Sequence, residues 1–204
     1  MDARYLRMPH VEGGMTVGLF GGSFNPPHEG HALVAETALR RLALDQLWWL
    51  VTPGNPLKNN SNLAPLSERI AMSEKIAPNP RIKVTAFEQA LGQSYTARTL
   101  EIVRARNRDV RFVWVMGADN LKNFHRWQNW RKIVATFPIA VIDRPGSTLA
   151  YLSSPMARAF GYARIDEVDA QTLAFRRPPA WTFIHGPRSG LSSTALRATA
   201  PPRA

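Results

Sequence analysis

The stretch Val17-Gly18-Leu19-Phe20-Gly21-Gly22-Ser23-Phe24-Asn25-Pro26-Pro27-His28-Glu29-Gly30-His31 constrains the fold more than any other part of this sequence. An apolar run ending in a glycine pair reads as a buried strand, with Thr16 to Phe20 as its body. Pro26 and Pro27 forbid helix across the turn, and Glu29 to Leu42 then reads as a helix. A helix start leaves backbone N–H groups unpaired and carries partial positive charge, so strand, small-residue turn and helix in this order make an anion site. Gly21 and Gly22 let the backbone approach a ligand closely. His28 and His31, three residues apart, fall on one face of the first helical turn and point toward what the glycines cradle. The stretch is neither Gly-x-Gly-x-x-Gly nor a Walker loop, because no Gly-Lys-Ser/Thr follows the turn.

A chain of 204 residues, 45% hydrophobic and 20% charged, is long enough for one well-buried α/β domain. The balance of 26 Lys and Arg against 15 Asp and Glu, a net +11, suits anionic partners, and its spread along the chain without a basic tract reads as a solvated surface. The absence of cysteine excludes disulfides, thiolate catalysis and thiolate metal sites. Residues 1–14 carry no periodicity and no apolar signal region, which predicts a flexible N-terminal extension with Met15 as an alternative start; residues 15–204 form the domain. The longest apolar run, residues 133–142, is interrupted by Thr136 and Pro138 and is too short to span a bilayer, so the expected location is cytoplasmic.

Further along, Ala32, Ala35, Leu39 and Leu42 form one apolar helix face. Leu47-Trp48-Trp49-Leu50-Val51 is a continuous run typical of buried parallel strands, and it ends in a Pro53-to-Lys58 loop at a strand's carboxyl end, where open α/β sheets bind ligands. Leu66 to Ile76 reads as a helix capped by Ser67, Arg81 to Phe87 as a strand, and Thr96 as the cap of a helix carrying Leu100 and Val103. Val110 to Met116 is a buried strand stopping at Gly117-Ala118-Asp119. There Gly117 permits close approach of a purine or ribose, and Asp119 either accepts from ribose hydroxyls or caps the next helix. Trp130 reads as core. Phe137 to Asp143 is a fifth strand, Leu149 to Phe160 a helix, Asp166, Glu167 and Asp169 a solvated acidic loop, and Trp181 to Ile184 a last strand.

His28-Glu29-Gly30-His31 resembles the His/Thr-x-Gly-His signature of a nucleotidyltransferase superfamily, and the preceding residues 21–27 look like the form found in the bacterial nicotinate-mononucleotide adenylyltransferases. Leu191-Ser192-Ser193-Thr194-Ala195-Leu196-Arg197 resembles the superfamily's second signature, Ile-Ser-Ser-Thr-x-x-Arg, departing only at Leu191. The resemblance covers about Val17 to Arg197. It implies a single α/β domain with a Rossmann-like nucleotidyltransferase fold, a mostly parallel sheet flanked by helices. The implied activity is adenylyl transfer from ATP to nicotinate mononucleotide, giving nicotinate adenine dinucleotide and pyrophosphate in NAD biosynthesis, without a covalent enzyme intermediate.

Carried onto these positions, the resemblance places His28 and His31 on the ATP phosphates and Lys58 and Arg197 on phosphate charge. It places Gly21, Gly22, Ser23, Phe24, Gly117, Asp119, Ser192, Ser193 and Thr194 on the ATP side. Asn55, Lys58, Tyr95 and Thr96 fall at the mononucleotide, with the nicotinate ring stacked on Trp127. ATP is the co-substrate, Mg²⁺ bridges its triphosphate, and no dedicated protein metal site is expected. The partners are small-molecule nucleotides rather than nucleic acid or membrane, with monomer and dimer both open because the chain stops short of a further C-terminal helix common among relatives. Two alternatives stand beside this reading: a sister adenylyltransferase using nicotinamide mononucleotide or phosphopantetheine, and, from a different class, a basic nucleic-acid-binding domain with salt-sensitive affinity.

Overall fold

The computed structural model describes residues 2–54, 62–92, 95–144 and 149–186. After a 3-10 turn at Ala3–Leu6 the chain runs β1 (Thr16–Gly22), α1 (Glu29–Arg41), β2 (Gln46–Val51), α2 (Leu66–Ile76), β3 (Ile82–Thr85), α3 (Phe87–Ala90) and α4 (Thr96–Arg106). It continues through β4 (Arg111–Gly117), α5 (Ala118–Leu121), α6 (Trp130–Thr136), β5 (Ile139–Ile142), α7 (Ala150–Ser153), α8 (Pro155–Ala159) and β6 (Trp181–Ile184), with further 3-10 turns at Phe124–Arg126, Gly161–Ala163 and Glu167–Phe175. The six strands form one sheet in the order β3-β2-β1-β4-β5-β6, and every pairing is parallel. The order reverses between β1 and β4, so the carboxyl ends of those two strands flank the crevice in which open α/β sheets bind ligands.

The continuous apolar runs follow from burial on both faces. Trp49 and Val51 of β2 join Val34, Ala35, Ala38 and Leu39 of α1 in one layer, while Trp48 and Leu50 join Leu100 and Val103 of α4 in the other. In α1 the expected positions Ala35, Leu39 and Leu42 are buried, joined by Val34 and Ala38, while Ala32 is only half-buried. The glycine pair belongs to β1, with Gly21 opposite Leu50 and Gly22 opposite Val51, and the turn begins only at Ser23.

Several local expectations are corrected. Pro65, not Ser67, holds the N-cap position of α2, and Tyr95, not Thr96, that of α4; neither helix has a side-chain cap. Phe87 leaves the strand and opens α3. The helix expected over residues 149–160 is two short ones broken at Ser154-Pro155, where Ser154 caps the second. In the acidic loop Asp166 and Asp169 are exposed as expected, whereas Glu167 is half-buried: it accepts from the His185 backbone N at 2.9 Å and meets the Arg41 guanidinium at 3.3 Å. Burial works to raise its carboxyl, and the bonds from the backbone and ring of His185, together with Arg41, outweigh that and leave it below the usual range.

Residues 2–14 are packed rather than extending freely. The Tyr5 carbonyl accepts from Ala86 N at 2.8 Å and Thr85 Oγ1 at 3.1 Å, and the Arg7 carbonyl accepts from the same hydroxyl at 3.0 Å. Tyr5 is buried, and Met8 and Val11 pack against the layer that holds α4. The segment lies beside β3, an edge strand whose outer side would otherwise be open. Among the described residues no helix is long and apolar enough to cross a membrane.

Candidate active site

At the carboxyl end of β1 the chain turns through Ser23 to Pro27 and enters α1 with His28 as its N-cap. The two histidines cap the helix reciprocally: His28 Nδ1 accepts from Gly30 N at 3.1 Å, and His31 Nδ1 accepts from His28 N at 3.2 Å. In each neutral ring an accepting Nδ1 leaves the proton on Nε2. The imidazole centroids lie 3.8 Å apart, so two Nε2–H donors stand together at a helix N-terminus. Gly30 is glycine for a local reason: a Cβ there would sit 2.9 Å from His28 Cε1 and 3.0 Å from Nδ1. His28 is 3% exposed, and its Nε2 is a buried polar atom without a hydrogen-bond partner among the described residues.

Across the crevice, Gly117 ends β4 and Arg144 follows β5. Arg144 Nε lies 3.6 Å from Asp119 Oδ1, an ion pair too long for a hydrogen bond, with the guanidinium largely buried and the carboxylate half exposed. A Cβ on Gly117 would fall 2.6 Å from that Asp119 oxygen and 2.7 Å from Arg144 Cδ, so only glycine lets the pair form. A Cβ on Gly30 would lie 3.5 Å from Arg144 Nη2, which places this cation beside His28. Burial first, then the Arg144 charge, push the His28 imidazole down to about 4, with Asp119 opposing. His28 is therefore a neutral donor at physiological pH, able to meet an anion without carrying charge.

The aromatic residues divide between core and crevice. The Phe24 ring is 3% exposed, packed on Trp49 at 4.6 Å and edge-on to His31 at 5.0 Å, so its side chain braces the histidines. Phe24 takes φ 45°, and a Cβ on Gly22 would lie 3.1 Å from its ring, a tight contact that would require the ring to shift. Trp127 is half-buried and meets Trp114 edge-on at 6.2 Å, while a Cβ on Gly21 would lie 2.7 Å from Trp114 Cη2. Trp114 thus links the end of β1 to Trp127. Trp130 is only partly buried, against Phe124 and Phe160.

Tyr95 is 43% exposed and Thr96 half-buried at the start of α4. That helix is tied back to the sheet by buried bonds. Thr99 Oγ1 donates to Glu88 at 2.7 Å, Glu88 also bonds the Thr52 side chain, and Thr52 N donates to Gly22 O at 3.0 Å. The expected site residues Asn55, Lys58, Ser192, Ser193, Thr194 and Arg197 lie outside the described residues.

The chain matches the cytidylyltransferase-like family over residues 19–199. A Rhizobium meliloti (strain 1021) protein named "Probable nicotinate-nucleotide adenylyltransferase" is 89% identical over 183 residues, covering 90% of this chain and 97% of that one. The chain belongs to the nicotinate-nucleotide adenylyltransferase family. A second member of the same name, from Mesorhizobium japonicum, is 72% identical over 190 residues, covering 93% of this chain and 97% of the relative. The fold is also that of a solved structure, a Plasmodium falciparum nicotinic acid mononucleotide adenylyltransferase complexed with NaAD, with TM-score 0.66 at 18% identity and coverage of 90% and 83% of the two chains.

Within this family member, two cations near the site escape sequence reasoning. Arg144 follows β5 in an Arg-Pro-Gly sequence that resembles the family pattern but carries no local sign of a site residue, and only the neighbouring of β4 and β5 brings it to His28. Arg69 sits mid-helix in a stretch rich in charge, where an arginine ordinarily faces water, yet it is 1% exposed.

Proposed function

We propose that this chain transfers the adenylyl group of ATP to nicotinate mononucleotide, producing nicotinate adenine dinucleotide and pyrophosphate. The observation that carries the reading is the reciprocal His28–His31 cap, which stands two imidazole Nε2 groups together at a helix N-terminus, beside the point where the strand order reverses. A phosphate oxygen of the mononucleotide attacks the α-phosphorus of ATP in line. The new P–O bond forms as the bond to the β-phosphate oxygen breaks, and the electron pair leaves with pyrophosphate. No residue need become covalently attached, because positioning and charge stabilisation do the chemistry.

His28 and His31 donate to the phosphoryl oxygens, and Arg144 adds positive charge beside them. Trp127 offers a flat apolar face to the pyridine ring, while Tyr95 and Thr96 lie at the α4 start, whose free amides suit a carboxylate. Lys58 and Arg197 are assigned to phosphate charge, Asn55 to the mononucleotide, and Ser192, Ser193 and Thr194 to the triphosphate, on the family resemblance. Mg²⁺ bound to the nucleotide would neutralise charge on the triphosphate. Among the described residues no three His, Cys, Asp or Glu side chains gather as a metal cage, and Asp119 is a half-exposed carboxylate beside Arg144 and His28. This donor set fits an ion carried chiefly by phosphate oxygens and water.

The test is magnesium-dependent pyrophosphate release from ATP with nicotinate mononucleotide, nicotinamide mononucleotide and phosphopantetheine at matched concentrations. Clear preference for the first is expected; preference for either other acceptor would move the chain to a sister activity. Release with none of them, together with salt-sensitive retention on nucleic acid, would favour the basic binding-domain reading.

A further inference from the structure

Arg69, on α2, is a buried cation whose side-chain partners among the described residues are all backbone carbonyls. Its Nε donates to Ala64 O at 2.9 Å, Nη1 to Ser23 O at 2.7 Å and Thr52 O at 2.8 Å, and Nη2 to Pro53 O at 3.4 Å. Thr52 and Pro53 leave β2, Ala64 leads into α2, and Ser23 opens the phosphate turn. One planar guanidinium therefore spans both stems of the β2–α2 connection and ties them to the turn that leads to His28. Asn25 stitches the same stem from the turn side, accepting from Ala64 N at 3.1 Å and donating to Asn62 O at 2.9 Å. Thr52 passes the constraint on, through Glu88 and Thr99, to the helix that begins at Thr96.

We infer that Arg69 is a positioning residue that sets the acceptor side of the site against the phosphate turn. This rests on the proposed function, in which the carboxyl end of β2 and the start of α4 receive the mononucleotide. Three of the four bonds hold the β2–α2 stems, whereas the phosphate turn is anchored independently by β1 and by the histidine cap of α1. Loosening Arg69 therefore shifts the acceptor side and leaves the ATP side in place. Lysine keeps the charge but is a point donor without the rigid fork, so it cannot reach the four carbonyls in one plane.

The experiment is steady-state pyrophosphate release by the full chain and by Arg69→Lys and Arg69→Ala, varying each substrate in turn. Arg69→Lys should raise KM for nicotinate mononucleotide about tenfold, below the roughly hundredfold effect of a full ångström misplacement, with KM for ATP within about twofold. Added guanidinium ion should lower the raised KM of Arg69→Ala. A change in the amount of folded protein alters apparent kcat but moves neither KM, which separates positioning from mere stability. If the arginine variants do not fold, Asn25→Ser must show the same acceptor-selective rise. Unchanged KM values, or parallel rises for both substrates, overturn the inference while the function stands. A wild-type chain without turnover on nicotinate mononucleotide overturns the function and this inference together.

Discussion

His28 holds three roles with one side chain, and each can be separated. Its Nδ1 caps α1, its Nε2–H is a buried donor without a partner among the described residues, and its burial beside Arg144 keeps it neutral. The fall of its imidazole from 6.5 to about 4 corresponds to roughly 3 kcal/mol at about 1.4 kcal/mol per pH unit. Between those values the unfolded chain binds a proton that the folded chain refuses, so stability drops as pH falls from 6.5 toward 4. His28→Asn keeps an effective N-cap and removes the titration. Urea unfolding at pH 7 and pH 4 should therefore show the wild type losing roughly 3 kcal/mol relative to the variant, and parallel losses would refute the buried neutral imidazole. The signature histidines were legible in the sequence because their partners are two and three residues away; the depressed imidazole was not, because Arg144 lies far along the chain.

At the scale of elements, the site depends on how helices are tied to strand ends. The α3 residue Glu88 is buried, with its carboxyl raised by that burial and partly lowered again by the Thr99 and Thr52 hydroxyls. A raised carboxyl favours the protonated folded state, so its contribution is fully present below the ordinary value of 4.5 and is lost as pH rises through the folded value. Glu88→Gln keeps an oxygen to accept from Thr99 and carries no charge at any pH. Its Tm should gain on the wild type as pH rises, with a larger difference at pH 8 than at pH 4; a constant difference would mean that the carboxyl is not strained by burial. The elements themselves were largely readable: α2 has the expected bounds, and β2 and β6 stand where their apolar runs lie. Caps were misassigned at Ser67 and Thr96, because a hydroxyl near a helix start is common and only backbone geometry decides which residue is the N-cap.

Across the whole molecule, the N-terminal segment belongs to the folded unit. A chain beginning at Met15 gives up the buried Tyr5 ring and the bonds to Thr85 and Ala86, which should cost about 3 kcal/mol, or roughly 6–12 °C in Tm, with turnover at low temperature unchanged. An unaltered Tm would show that the segment adds nothing. Its packing was hidden from pattern reading because Tyr5, Met8 and Val11 follow neither a helical nor a strand period; they fit the irregular edge beside β3 and α4. By itself the sequence determined the strand-turn-helix at residues 16–42, the buried parallel strands and the histidine pair, all products of local spacing and of apolar runs too continuous for a one-sided sheet. Only the tertiary structure decided the rest. Strand order brings Gly21 and Gly117 to one crevice, sets Arg144 and Asp119 beside His28, and turns Arg69 inward to the carbonyls of three separated segments. Each of these depends on contacts between residues far apart in the chain, and no local period encodes them.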